Sequence, residues 1–305
     1  MSTFVLVEKE FFMVSLLHAL PGSVAQGLIW GILAISVFLT FKVLDYADMT
    51  VDGSFCTGGA TCVMLMLSGQ SVYVALICSF IAGMCAGYIT GLLHTMLKIP
   101  PILSGILTQL GLYSINLAIM GKSNQAISVD QYALIVSLRF INYSILMSVI
   151  IIAIIIFLLY MFFGSEIGSA IRATGCNQNM ARAQGINTGR CIRIGLVVSN
   201  GLTAFAGGLY AQYQGNADVN AGRGAIVIGL AAVIIGEVIF GSRHNFAVRM
   251  GVSVVGAIIY YIVIAIVLQL GLPSTYLKLL SAVLVAIFLG IPAIQGYLGI
   301  KVKQR

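Results

Sequence analysis

The sequence predicts an all-α integral membrane protein, a polytopic bundle of about eight or nine transmembrane helices. Three observations predict it. Hydrophobic residues fill 60% of the 305 positions and charged residues only 8%, whereas soluble domains carry about 25% charged residues. With a mean hydropathy of +1.05, no soluble core can absorb this chain. The apolar residues also come in runs long enough to cross ~30 Å of hydrocarbon as helices. Finally, one polar, basic island, Gly164 to Arg193, lies between two such runs and must leave the membrane.

The elements follow in order. Residues 1–22 form an N-terminal segment, with Glu8, Lys9 and Glu10 ahead of an apolar stretch. It reads either as an interfacial helix ending at Pro21-Gly22 or as a disordered tail. It has no basic opening or convincing cleavage site, so no removable signal peptide is expected. Residues 23–297 form the transmembrane domain, and 298–305 a cytoplasmic tail with Lys301, Lys303 and Arg305.

Span one covers about Ser23 to Leu44. The turn after it carries Asp45, Asp48 and Asp52 with Thr50 and Gly53. Span two, about Ser54 to Leu67, is short and broken by Gly58-Gly59. Span three, about Val72 to Leu97, places Gly83, Gly87 and Gly91 one helical turn apart on one face, a stripe that lets another helix approach closely. Lys98 and Pro100-Pro101 end it, and span four covers about Ile102 to Met120. A polar segment, Gly121 to Asn142, leads to span five, about Tyr143 to Phe163.

After the island come span six, about Ile194 to Tyr213, and a polar loop with Asp218. Span seven, about Gly224 to Phe240, is short and carries Glu237. Gly241 to Asn245 forms a turn, span eight covers about Val248 to Leu270, and Pro273 precedes span nine, about Leu277 to Ala293. Spans two and seven are the short, glycine-interrupted pair, five spans apart and so of opposite orientation. Such pairs point to a translocation site in repeat-built transporters.

The island holds Arg172, Arg182, Arg190 and Arg193, four of the nine arginines, which marks its side as the cytoplasm. Alternation then puts the N-terminus outside and the C-terminus inside. Eleven of the sixteen basic residues fall on the cytoplasmic side, among them Lys42, Lys98, Arg243 and Arg249, against Lys9, Lys122, Arg139, Arg223 and Lys278 outside. The acidic turn at Asp45 to Asp52 also falls inside. Within the island is a helix of about two turns. Asn177 or Asn179 can cap its start, and Gly185 can end it in the left-handed conformation. Two turns are unstable alone in water, so this helix needs a docking surface.

The string Arg172-Ala-Thr-Gly175-x-Asn177-x-x-Met180-Ala181-Arg182-x-x-Gly185-Ile186-Asn187 resembles the cytoplasmic loop of ABC importer permeases of the branched-chain amino acid and ribose type. The resemblance implies a permease subunit of the bacterial inner membrane, with the short helix as the coupling helix that sits in a groove of an ATPase subunit. Met180, Ala181 and Gln184 would form the docking face, and Gly175 and Gly185 would set the helix ends. The implied partners are two ATPases, a second permease copy (identical or similar) and an extracytoplasmic binding protein. Asp48-x-Thr50-Val-Asp52-Gly53-Ser-Phe and Ile234-Ile-Gly-Glu237 resemble a subgroup of amino acid importers, often for tryptophan or tyrosine.

Other classes are disfavoured. There is no G-x-x-x-x-G-K-[ST] loop, so ATP would sit on a partner chain and no cofactor is expected on this one. No H-E-x-x-H or G-x-S-x-G motif supports hydrolysis. His18, His94 and His244 do not cluster, so no metal site is expected. The six cysteines make no C-x-x-C pair, and Cys56, Cys62, Cys78 and Cys85 read as small buried hydrophobes. The basic residues are too scattered for a nucleic-acid surface. An alternative is a secondary transporter driven by an ion gradient, with Asp48, Asp52 or Glu237 carrying protons. It has no need of a dedicated docking helix. A direct role for these three carboxylates in transport or gating competes with a structural one, capping or pairing helix ends.

Overall fold

The computed structural model describes residues 2–128, 132, 134–241 and 245–269, and beyond them residues 279, 282, 283, 285–287 and 290. Ten α-helices stand among the described elements: α1 (Ser2–Phe38), α2 (Val51–Leu67), α3 (Val72–Thr95), α4 (Pro101–Met120), α5 (Ile141–Gly164), α6 (Glu166–Cys176), α7 (Gln178–Ala183), α8 (Thr188–Gln214), α9 (Ala225–Phe240) and α10 (Phe246–Gln269). Two three-residue strands, β1 (Asn124–Ala126) and β2 (Asn216–Asp218), pair antiparallel. Six helices are long and apolar enough to cross a membrane, and α2 and α9 are shorter apolar helices. Most of the ninth span and all of the C-terminal tail expected from the sequence lie outside the described residues, as does Arg243.

The first span differs from expectation. Its helix does not end at Pro21-Gly22 but runs through them, and the apolar stretch covers Ala19–Val43. Proline removes one ladder hydrogen bond, and apolar membrane helices tolerate this where nearby groups compensate. The last turn widens into a π-helical segment, Leu39–Val43.

Side-chain contacts fix the helix directions. Ser36 on α1 meets Ser199 on α8, while the Tyr213 hydroxyl at the far end of α8 donates to the Gly22 carbonyl. So α1 and α8 run antiparallel. Ser54 and Cys62 on α2 meet Asn200 and Gln212 on α8 in the same order, so these two run parallel. On α9, Gly229 packs on Leu33 and Val37 and Glu237 pairs with Lys42, so α9 runs with α1. The two short helices therefore have opposite directions, as alternation requires.

Helix α8 is the central post, with α2 and α3 packed along it. Gly83, Gly87 and Gly91 all face it, against the backbones of Asn200, Leu196 and Arg193. Gly58-Gly59 does not break α2. The helix is continuous, and a Cβ at Gly58 would overlap the Ala204 carbonyl. These glycines bring helix axes close, which in an apolar solvent is a main source of packing energy. Of the cysteines, Cys56 and Cys62 are buried, Cys78 is half-buried and Cys85 is exposed on α3. Cys191 is buried within α8, which begins earlier than the sequence reading placed span six.

Candidate functional site

Helices α2 and α9 both start in the interior of the bundle. Asn200 lies 12 residues past Thr188 in the 27-residue α8, or about 18 Å along a helix some 40 Å long. Its side chain donates to Asp48 Oδ2 at 2.6 Å and accepts from Ser54 Oγ at 2.6 Å. The chain therefore turns back after α1, climbs to the middle of the bundle, and begins α2 there. The acidic turn is not a surface feature at the helix end. Asp45 is exposed, but Asp48 is only 1% exposed.

Local chemistry explains the turn. Asp48 Oδ1 accepts the Thr50 backbone N–H at 2.9 Å, closing an Asx turn just before α2. The Thr50 hydroxyl continues to Thr90 at 2.7 Å, and Thr90 donates to Thr108 at 2.9 Å, linking α3 and α4. Asp218 repeats the Asx turn before α9, accepting from Asn220 N at 2.8 Å.

Asp52, in the first turn of α2, accepts the backbone N–H groups of Gly224 and Ile226 at 2.9 and 3.0 Å. A carboxylate thus caps the N-terminus of α9, where free N–H groups and the helix dipole favour negative charge. Asp48 and Asp52 do not share a helix face, because α2 begins between them; one binds α8 and the other α9. Cys56 adds a second tie, accepting from Gly222 N at 3.1 Å and donating to the Val219 carbonyl at 3.2 Å.

Beside this junction is a cavity of about 310 Å³. Helix α2 contributes Asp52, Gly53 and Cys56, α4 contributes Gln109, Tyr113 and Asn116, and the segment before α9 contributes Val219 and Arg223. Gly53 has no side chain because Gln109 and Leu112 of α4 press against it. Arg223 lies over the Tyr113 ring, 5.8 Å from its centroid. Asn116 is 1% exposed, and neither end of its amide has a hydrogen-bond partner. An unmade bond at a buried polar group costs about 1–3 kcal/mol.

Glu237 sits elsewhere. It is near the far end of α9, 2.8 Å from Lys42 and 2.9 Å from Arg249, which also lies over the Phe38 ring. This ion-pair cluster ties the ends of α1, α9 and α10. Both cations reach it from helix ends, Lys42 from the end of α1 and Arg249 from the start of α10.

On the same side the island folds as two helices, α6 and α7. The Asn177 side chain caps α7, accepting from Met180 N at 3.0 Å, and Gly185 follows with φ +80°. Gly175 does not bound α7. It lies in the last turn of α6, where the Val43 carbonyl and Leu44 leave no room for a Cβ. Met180 is 64% exposed, and Gln184 is exposed too, but Ala181 is turned inward at 2%. Arg172 is exposed beside Ser169. Ile186 is half-buried, and Asn187 caps α8 by accepting from Arg190 N.

The match to known proteins follows this architecture. Residues 20–291 match a family described as branched-chain amino acid transport system / permease component. The chain belongs to this family. It is 37% identical over 279 residues to the tyrosine transport system permease protein of Clostridioides difficile (strain R20291), covering 92% of each chain. It is 30% identical over 276 residues to an uncharacterised protein of Rickettsia prowazekii (strain Madrid E), covering 90% of this chain and 97% of that one. The galactofuranose transporter permease of Escherichia coli K12 is 27% identical over 248 residues, 78% of this chain and 69% of that one. No solved structure matches.

The permease is thus the membrane component of an ABC-type transport system and a multi-pass protein of the bacterial inner membrane. The secondary-transporter reading gives way to this family membership. Sequence reasoning missed Asn116, Asn200, Gln109 and Arg223. The signal available for the first three was a carboxamide inside an otherwise apolar span, where polar groups are costly and usually have a task.

Proposed function

We propose that the permease imports an amino acid, driven by ATP bound and hydrolysed on a separate ATPase that docks on α7. The observation that carries this is the form of α7. It is a six-residue helix with its own N-cap, closed by a positive-φ glycine, and it holds Met180 out into solvent. Helix α6 carries it and packs through Gly175 on the π-helical end of α1. Motion of α7 is therefore transmitted to α1 and, through Lys42 and Glu237, to α9. Lys42, Lys98, Arg172, Arg182, Arg190, Arg193 and Arg249 cluster on this side, which assigns it to the cytoplasm.

The path runs beside Asp52, at the junction where α2 and α9 start. Discontinuous helices meeting inside the bundle are how transporters of several architectures bind cargo near the bilayer midplane. A second permease copy completes the path, and an extracytoplasmic binding protein delivers the cargo. The tyrosine permease relative favours an amino acid. ATP-driven closure of the ATPase pair can shift the permease only if the two states contact α7 differently.

The test is purification of the tagged permease in mild detergent with mass spectrometry of what accompanies it. A stoichiometric P-loop ATPase is expected, and it is lost from Met180→Glu and Gly185→Pro while both variants still insert. If both variants retain the ATPase, α7 is not the dock. A permease that purifies alone and transports under a proton gradient without ATP would overturn the reading.

A further inference from the structure

The importer reading leaves open what the cavity recognises. We infer that the α2–α4 cavity is a cargo station for a free α-amino acid, held by Arg223, Asn116 and Asp52. This rests on the importer reading but names residues and chemistry that it does not require.

Three features of the cavity lead there. Asn116 is buried with both amide ends unpartnered. Buried polar groups without a partner are few in native proteins and call for one, and beside a cavity a ligand can supply it. Arg223 is exposed at the cavity with no carboxylate in ion-pair distance among the described residues, and its plane is steadied by the Tyr113 ring. Asp52 supplies negative charge at the opposite polarity, anchored by two N–H donors of α9. The cavity therefore offers a guanidinium fork, a carboxylate and an uncommitted amide.

That set matches a zwitterion. The guanidinium takes the carboxylate in the bidentate manner. The ammonium lies between Asp52 and Asn116 Oδ1, and the side chain runs along Leu110 and Tyr113. A volume of about 310 Å³ holds one amino acid and little more. A neutral sugar could accept hydrogen bonds from the guanidinium but would leave its charge uncompensated, as a carboxylate would not. Because Asp52 also caps α9, occupation of the cavity bears directly on the helix whose other end carries Glu237.

The experiment uses the permease with the ATPase and binding protein that it captures, reconstituted in liposomes, and a ¹⁴C-labelled mixture of L-amino acids. The intact complex is expected to accumulate label when ATP is supplied. Arg223→Ala and Asn116→Leu should each cut accumulation by about tenfold or more, with capture of the ATPase unchanged, and Arg223→Lys should recover part of it. Asn116→Leu should also raise the unfolding midpoint, because it removes an unsatisfied polar group. A merely structural amide would do the reverse.

Undiminished accumulation in both variants overturns the inference. So does a lowered midpoint in Asn116→Leu, or no accumulation of any amino acid by a complex that does hold its ATPase. Failure to capture an ATPase sinks the importer reading instead, so the two failures are distinguishable.

Discussion

Asn200 donates its amide to the carboxylate of Asp48 at 2.6 Å, across 152 residues of sequence. This bond holds the start of α2 against the middle of α8. Asp48 is almost fully buried and has no cation beside it among the described hydrogen bonds and ion pairs; its partners are an amide and a backbone N–H. Removing the amide by Asn200→Ala is expected to cost about 2 kcal/mol, the range for hydrogen bonds to charged groups. Thermal unfolding in detergent, followed by circular dichroism, should show a clearly lower midpoint. An unchanged midpoint would mean that the turn before α2 is held by other contacts.

The glycine contacts give a paired prediction. Gly87 faces the Leu196 carbonyl and Asn200, whereas a Cβ at Gly111 on α4 meets nothing within 4 Å. Gly87→Ala should therefore destabilise by about 1–3 kcal/mol through overpacking. Gly111→Ala should be neutral or stabilise by up to about 1 kcal/mol through helix propensity. Unfolding midpoints of the two single variants, compared side by side, check the difference in sign.

The cluster of Lys42, Glu237 and Arg249 is only partly screened from solvent. Its worth lies between the surface and buried limits, about 1–2 kcal/mol. Glu237→Gln should lower stability by that order and remove part of the salt dependence of unfolding. Melting at low and high salt separates this from a packing loss, which would leave the salt dependence as in the parent protein.

Gly175 tests transmission. In Gly175→Val the side chain meets the Val43 carbonyl and Leu44, so α6 must move off the end of α1. ATPase capture on α7 should persist, while ATP-driven uptake falls by about tenfold, a usual size for a coupling free energy. Loss of ATPase capture would show instead that α6 and α7 fold as one unit with the end of α1.

Much of the fold was legible in the sequence for physical reasons. A span declares itself by local composition, so the long helices and the shortness of α2 and α9 could be read directly. A capped helix is also local: Asn177 and Gly185 flank α7 within nine residues. The errors came where packing decides. Gly58 read as a helix break and Gly175 as an end of the short helix, but both are sites of close approach, Gly58 within α2 and Gly175 in the last turn of α6. Ala181 read as docking surface, and its neighbours turn it inward. Pro21 read as a stop, and the apolar surroundings carry the helix through it.

By itself, then, the sequence determined the membrane class, the long spans among the described residues, the shortness and opposite directions of α2 and α9, and the short capped helix. Each depends on residues within a turn or two of one another, or on charge summed along the chain. Only the tertiary structure decided that Asp48 reaches the middle of the bundle, that Asp52 caps α9, and that Asn116 and Arg223 line one cavity. The Asp52 bonds to Gly224 and Ile226 join residues 172 and 174 positions apart. Pairing at that distance is chosen by which helix faces fit together, and no local pattern encodes it.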